Sequence, residues 1–287
     1  MKKTFLRVLA VLLLCGLPTA GFARDGFVPG SELGDLGACK EDGDDMKSAR
    51  ACTAIIEAKK ETTEILAKAY NYRGNAYFLK EPKRALADFN EAIRLNPKNP
   101  WLWIRRANLY LGNVGLNDYD RALADFTEVI RLRPDLGYDY RAGVYVRKGD
   151  YDRAVADYDQ AVRFKPKDTL LLEYRADAYV GKKDFGGAIA AYDDLIKLDP
   201  TRAHSLQGRG HAYYEKGDYD RAIADYDQAI ALAQTGLLFY YRGQAYAEKG
   251  DLSRAIADYD RAVKIDPGFS AAIIARGNAQ KLLKQSR

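Results

Sequence analysis

Reactive side chains are few in this chain of 287 residues, and their spacing limits what they can do. The two histidines, His204 and His211, stand seven residues apart. On a helix they would share a face but lie about 10 Å apart along it, too far to hold one metal ion. They suit a polar pair on a surface better than a ligand set. Of the three cysteines, Cys15 lies in an apolar run, while Cys39 and Cys52 are thirteen residues apart. No Cys or His spacing matches a zinc site. Neither G-x-x-x-x-G-K-[ST] nor G-x-G-x-x-G occurs, so no loop is expected to cradle phosphate. Acidic groups are numerous but recur at a fixed register, whereas a carboxylate doing acid–base work would stand alone. The expectation is a protein that is not an enzyme and takes no cofactor or metal. The formal charge of +5 hints at an anionic partner, yet Lys2, Lys3 and Arg7 supply three of those charges. No basic patch is interleaved with aromatics, which disfavours nucleic acid. A hydrophobic share of 47% excludes a wholly disordered chain.

The recurring charges belong to a recurring unit. R-[GA]-x-x-Y starts at Arg73, Arg106, Arg141, Arg175, Arg209 and Arg242, and a seventh start, Arg276-Gly277-Asn278-Ala279, lacks the tyrosine. A second string, RAIADYDQAI at 221–230 with close variants elsewhere, follows each of the six. It sets Asp88, Asp125, Asp157, Asp225 and Asp258 directly before an aromatic, and Ala191 in the fourth unit. Ion pairs from Arg73, Arg106, Arg141, Arg209 and Arg242 to those aspartates are expected, and Arg175 needs another partner. Were the pairs merely exposed, each would contribute only ~0–1 kcal/mol.

Both strings are amphipathic helices. Ala222, Ile223, Tyr226, Ala229 and Ile230 fall on one face of the second. Between the strings, Lys-Gly-Asp at 148–150, 216–218 and 249–251 offers a left-handed glycine to end one helix and an aspartate to cap the next. Gly or Ala after each arginine, facing Ala85, Ala122, Ala154, Ala188, Ala222 or Ala255, suits the closest backbone approach, and rings such as Tyr213 and Tyr226 fill the wider gap. One helix pair cannot bury its own apolar face, so the units must stack into a solenoid.

A helix–turn–helix of about 34 residues with these features and a closing proline resembles the tetratricopeptide repeat (TPR), here in an exported bacterial member. The resemblance implies an all-α, right-handed α-solenoid of antiparallel helix pairs. Six units would occupy 67–99, 100–134, 135–168, 169–202, 203–235 and 236–269, with a capping helix at 270–287. It further implies that the first helices line a concave wall. Asn71, Asn75, Trp101, Asn108, Asp139, Glu173, Asp177, His204, Gln207, His211, Tyr240 and Gln244 then form the candidate peptide-binding groove, amide-rich and aromatic at its ends and acidic in its middle. Such a mixture suits an extended peptide or protein segment. Family members that grip the C-terminal carboxylate of cytosolic chaperones use lysine at the position of Asn71; the equivalents here, Ile104, Asp139, Glu173, Gln207 and Tyr240, include none.

Residues 1–23 read as a signal peptide. Lys2, Lys3 and Arg7 flank an apolar run over Val8–Leu17, Pro18 breaks it, and Gly21-Phe22-Ala23 suits cleavage after Ala23. The run is shorter than the ~20 residues of a membrane span, and Leu14 before Cys15 does not fit a lipobox. The expected location is periplasmic or secreted, without a membrane span. Within 24–66, Cys52 overlays on Tyr226, Ser48 on Ala222 and Cys39 on Tyr213. This predicts a degenerate N-terminal unit closed by a Cys39–Cys52 disulfide, with two free buried thiols as the alternative. The expected function is a non-catalytic protein- or peptide-binding scaffold in the cell envelope, acting through the concave face. The alternative is a self-associating or convex-face subunit of an envelope assembly or secretion complex.

Overall fold

The computed structural model describes residues 36–40, 45–58, 60–112 and 117–286; the expected leader and its cleavage site lie outside them. The described chain is helical throughout, in consecutive pairs. A short α1 (Leu36–Lys40) precedes α2 (Asp45–Ala58). Six regular pairs follow: α3 (Thr63–Tyr77) and α4 (Pro82–Leu95), α5 (Pro100–Leu111) and α6 (Tyr119–Leu132), α7 (Pro134–Arg147) and α8 (Tyr151–Phe164), α9 (Thr169–Lys182) and α10 (Phe185–Leu198), α11 (Ala203–Glu215) and α12 (Tyr219–Leu232), α13 (Gly236–Glu248) and α14 (Leu252–Ile265). A single helix, α15 (Ser270–Gln285), closes the described array.

The turn residues account for the pairing. Gly149, Gly217 and Gly250 take φ of 74°, 78° and 81°, the left-handed conformation that stops a helix. The next residue, Asp150, Asp218 or Asp251, accepts from the amide three residues on and opens the following helix. In the fourth unit Lys183 holds the left-handed position at φ 62° without glycine's freedom, a conformation that costs an L-residue about 1–2 kcal/mol.

Each helix packs on those before and after it. First helices also touch their successors, α9 with α11, α11 with α13, α13 with α15 and α1 with α3; among the described residues no comparable contact joins successive second helices. The first helices therefore line the crowded, inner side of an α-solenoid. Ala85, Ala122, Ala154, Ala188, Ala222 and Ala255 are fully buried where the helices of a pair approach. Opposite Ala255, a Cβ on Gly243 would stand 2.8 Å from the Tyr259 ring, so only glycine lets that ring lie flat on the backbone.

The aromatics divide their work differently from the shared gap expected of Tyr213 and Tyr226. The ring of Tyr226 stacks on Tyr241 of the next unit, with centroids 6.0 Å apart. Phe126 meets Tyr140 at 5.4 Å and Tyr158 meets Tyr174 at 6.3 Å in the same way. The face of Tyr213 is instead covered by Arg221, 4.5 Å from its centroid, as Arg84 covers Tyr77, Arg153 covers Tyr145 and Arg254 covers Tyr246. Second-helix rings thus join units by meeting first-helix rings of the next, whereas Tyr77, Tyr145, Tyr213 and Tyr246, each four residues after the repeated arginine, are shelves for a cation, each worth about 0.5–1 kcal/mol at such exposed sites.

At the N-terminal end Cys39 and Cys52 are bonded, with S–S of 2.04 Å, and both are fully buried. The buried Ser48 hydroxyl donates to the Cys39 carbonyl and ties the five-residue α1 to α2 a second time.

Candidate functional site

The repeated arginine sets the spacing of the wall. In five units its Nε and Nη2 clasp the buried aspartate of the same pair: Arg73 with Asp88 (2.9 and 2.7 Å), Arg106 with Asp125 (2.9 and 2.7 Å), Arg141 with Asp157 (2.7 and 2.9 Å), Arg209 with Asp225 (2.9 and 2.6 Å) and Arg242 with Asp258 (2.8 and 2.7 Å). The fork geometry makes these strong, oriented bonds. Arg175, facing Ala191, turns to Asp194 at 3.1 Å and Asp159 at 3.9 Å.

The remaining nitrogen, Nη1, does what the sequence did not announce: it reaches back to the preceding unit. Arg73 donates to Thr53, Arg106 to Asn90, Arg141 to Thr127, Arg209 to Asp193, Arg242 to Asp227 and Arg276 to Asp260. The signal was present but spread over unlike residue types. Each acceptor directly follows the second-helix aromatic, or Cys52 in the degenerate unit, and each carries an oxygen.

Among the groove candidates, the amides stand most openly. Asn75, Asn108 and Gln207 are half-buried on the first helices. Gln244 spends its Nε2 on the Tyr240 hydroxyl at 3.1 Å. Asn71 lines a notch of about 120 Å³ between α3 and α5, with Glu64, Lys68, Asn96, Asn99 and Leu102. Its buried Oδ1 has no hydrogen-bond partner among the described residues. The aromatic candidates belong largely to the core. Trp101 packs partly buried against the apolar cluster of Ile104 and Phe126. Tyr240 is 6% exposed, held between Tyr241, Tyr259 and Phe269; it is a packing ring joining α13 to α14 and α15, and not an open groove aromatic.

The acidic middle also proves to be occupied. Asp139 accepts from Lys165 Nζ at 3.0 Å; burial pushes its carboxyl above the usual range while Lys165 pulls the other way. Asp177 accepts from the Tyr192 hydroxyl at 2.6 Å, and burial again pushes it up. Glu173 meets His204 Nδ1 at 2.6 Å and Arg202 at 2.9 Å. Burial raises Glu173, but the His204 bond and the nearby cations outweigh that and hold it low. The same bond raises His204 above the ordinary imidazole value. His211 is pushed down by burial and sits edge-on to Tyr241 at 5.9 Å. The two histidines therefore serve different partners. What read as an acidic strip is a set of compensated contacts: Asp139 and Asp177 are met within their own units, and Glu173 meets Arg202 and His204 at the boundary of the fourth and fifth. Among the described residues no three His, Cys, Asp or Glu side chains are grouped to hold a metal ion, and no helix is long and apolar enough to cross a membrane.

Family models described as tetratricopeptide repeat match residues 67–99, 89–124, 141–203 and 208–268. Among solved structures, the C-terminal part of a TPR repeat-containing protein from Cytophaga hutchinsonii aligns with TM-score 0.69 at 15% identity, over 80% of this chain and 94% of that one. A tetratricopeptide repeat protein from Parabacteroides merdae aligns with TM-score 0.52 at 18% identity, over 83% and 93%. YrrB, described as a TPR protein with an unusual peptide-binding site, aligns with TM-score 0.56 at 23% identity, over 66% and 97%. These likenesses show the fold. No curated protein matches the chain significantly in sequence.

Proposed function

The chain belongs to the tetratricopeptide repeat family, and from that premise we propose that it is a non-catalytic scaffold holding an extended protein or peptide segment along its inner wall. The observation that carries this reading is the set of amides on the first helices, Asn75, Asn108 and Gln207, which are half-buried yet bonded to no other side chain among the described residues. The unmet Asn71 oxygen adds a buried acceptor to the same wall. Side-chain amides offer a donor and an acceptor together, which matches the backbone of an extended ligand. The compensated middle argues against selection for a strongly basic ligand, since Asp139, Glu173 and Asp177 already have partners. The cell envelope is the location this reading favours. Its supports are the leader-like residues 1–23 and the Cys39–Cys52 bond, a type of link that persists in oxidising compartments.

The test is selection of peptides from a random library on the intact chain, followed by affinity measurement on a variant carrying Asn75→Ala, Asn108→Ala and Gln207→Ala. These side chains make no side-chain bond that the fold would lose, so circular dichroism and melting should be unchanged while affinity for the selected peptides drops at least tenfold. Equal binding by the variant would refute the inner wall as the site.

A further inference from the structure

One face of α15 repeats, without a cover among the described residues, the surface that the preceding first helices bury. Arg276-Gly277 stands where Arg209-Gly210 and Arg242-Gly243 stand. In those units the second helix lays an aromatic ring on the glycine, so that a Cβ on Gly210 or Gly243 would come within 3 Å of Tyr226 or Tyr259. A Cβ on Gly277 would meet nothing within 4 Å. Arg276 keeps the backward bond of its series, Nη1 to Asp260 at 2.9 Å. Among the described residues no carboxylate takes the fork that Asp258 fills in Arg242. On the same face, four and three residues before Gly277, Ile273 and Ile274 are 39% and 54% exposed.

We propose that this face is a docking site for an amphipathic helix of a partner protein, one that presents Ala-x-x-Asp followed by Tyr or Phe. The chain itself supplies the argument for this occupant. The same arginine–small-residue surface is covered five times within the array, each time by a helix with alanine, then aspartate three residues on, then an aromatic. The empty fork of Arg276 asks for a carboxylate, the bare Gly277 for a flat ring, and the neighbouring Ile273 and Ile274 for apolar cover. This site is at the α15 end of the described array and is independent of the inner wall.

The experiment uses a labelled peptide of residues 251–266, the second helix of the sixth unit with its aspartate cap, titrated into the full chain up to about 1 mM. That ceiling is needed because an isolated helix of this length is marginal in water. Saturable one-to-one binding is expected. It should weaken at least tenfold with the peptide bearing Asp258→Asn, and likewise with the full chain bearing Arg276→Gln. Gly277→Tyr, which fills the open slot with a residue that favours the helix more than glycine does, should abolish it while melting stays unchanged. Absence of binding, or binding indifferent to Arg276→Gln and Gly277→Tyr, would overturn the proposal. So would a doubled mass in sedimentation that Gly277→Tyr restores to the single chain, because the occupant would then be a second copy.

Discussion

The fourth and fifth units are neighbours with the same helix pair, and they hold it together by different means. In the fifth, Arg209 clasps the buried Asp225, Gly217 ends α11 and Arg221 covers Tyr213. In the fourth, the aspartate is Ala191, 2% exposed; the turn residue is Lys183; and the shelf arginine is Gly187, whose missing Cβ leaves room for the Tyr179 ring. Freed of its usual partner, Arg175 turns to Asp194 of its own unit and Asp159 of the unit before, and the Tyr179 hydroxyl donates to Asp159 at 3.2 Å. The pair still forms because the alanine and aromatic contacts are the same. The difference teaches that the buried ion pair is not what makes the fold. It is a feature that is costly to break halfway and cheap to replace as a whole.

The sharpest way to break the comparison is Arg209→Ala. It strands Asp225, 3% exposed, without its cation, and should cost about 3 kcal/mol in urea unfolding. Asp225→Ala turns the fifth unit toward the fourth and should cost only about 1 kcal/mol, since Arg209 keeps Asp193 at 2.6 Å. A loss equal to that of Arg209→Ala would show that the fifth unit depends on the pair in a way the fourth does not. Lys183→Gly gives the fourth unit the turn residue of its neighbours and should raise stability by up to about 1 kcal/mol, read as a higher melting temperature. Restoring the missing carboxylate with Ala191→Asp should change stability least, within about 0.5 kcal/mol either way, because desolvation offsets the new ion pair.

The fifth unit should also respond to pH, weakly and with opposed signs from its two histidines. His204 has a raised value in the folded chain, so its contribution is complete below about 6.5, the ordinary imidazole value, and is lost as pH rises through the folded value. His211 has a lowered value, so its contribution is present above about 6.5 and is lost as pH falls. Melting measured from pH 5 to 8 should therefore lose its alkaline decline in His204→Gln and its acid decline in His211→Gln. Identical profiles in the two variants would refute the assignment.

Much of the fold was legible because each unit repeats the chemistry that its neighbour needs. The arginine register, the facing alanines, the Lys-Gly-Asp turns and the position of the cysteines all follow from residues read one unit at a time. What escaped was whatever comes to a residue from another part of the chain, within a unit or between two. Register tells which way Asp139, Glu173 and Asp177 point, but Lys165, Arg202 and Tyr192 come to them from other helices. Tyr240 looked like a groove aromatic because its position is one that faces inward elsewhere; Phe269, beyond the end of α14, closes over it. The acceptors of Nη1 were hidden by variety, since threonine, asparagine and aspartate share an oxygen and little else.

Those backward bonds give the array a direction. Every arginine of the series sits on a first helix and leans on the unit before it. Whichever of two neighbours melts, the bond between them is lost, but what is stranded differs: Arg209 and Arg242 keep Asp225 and Asp258 when the unit before them opens, whereas Asp193 and Asp227 lose their only arginine among the described residues when the unit after them opens. The disulfide lies where that series begins: Cys52 fixes α2 one residue before Thr53, the acceptor on which the first arginine rests.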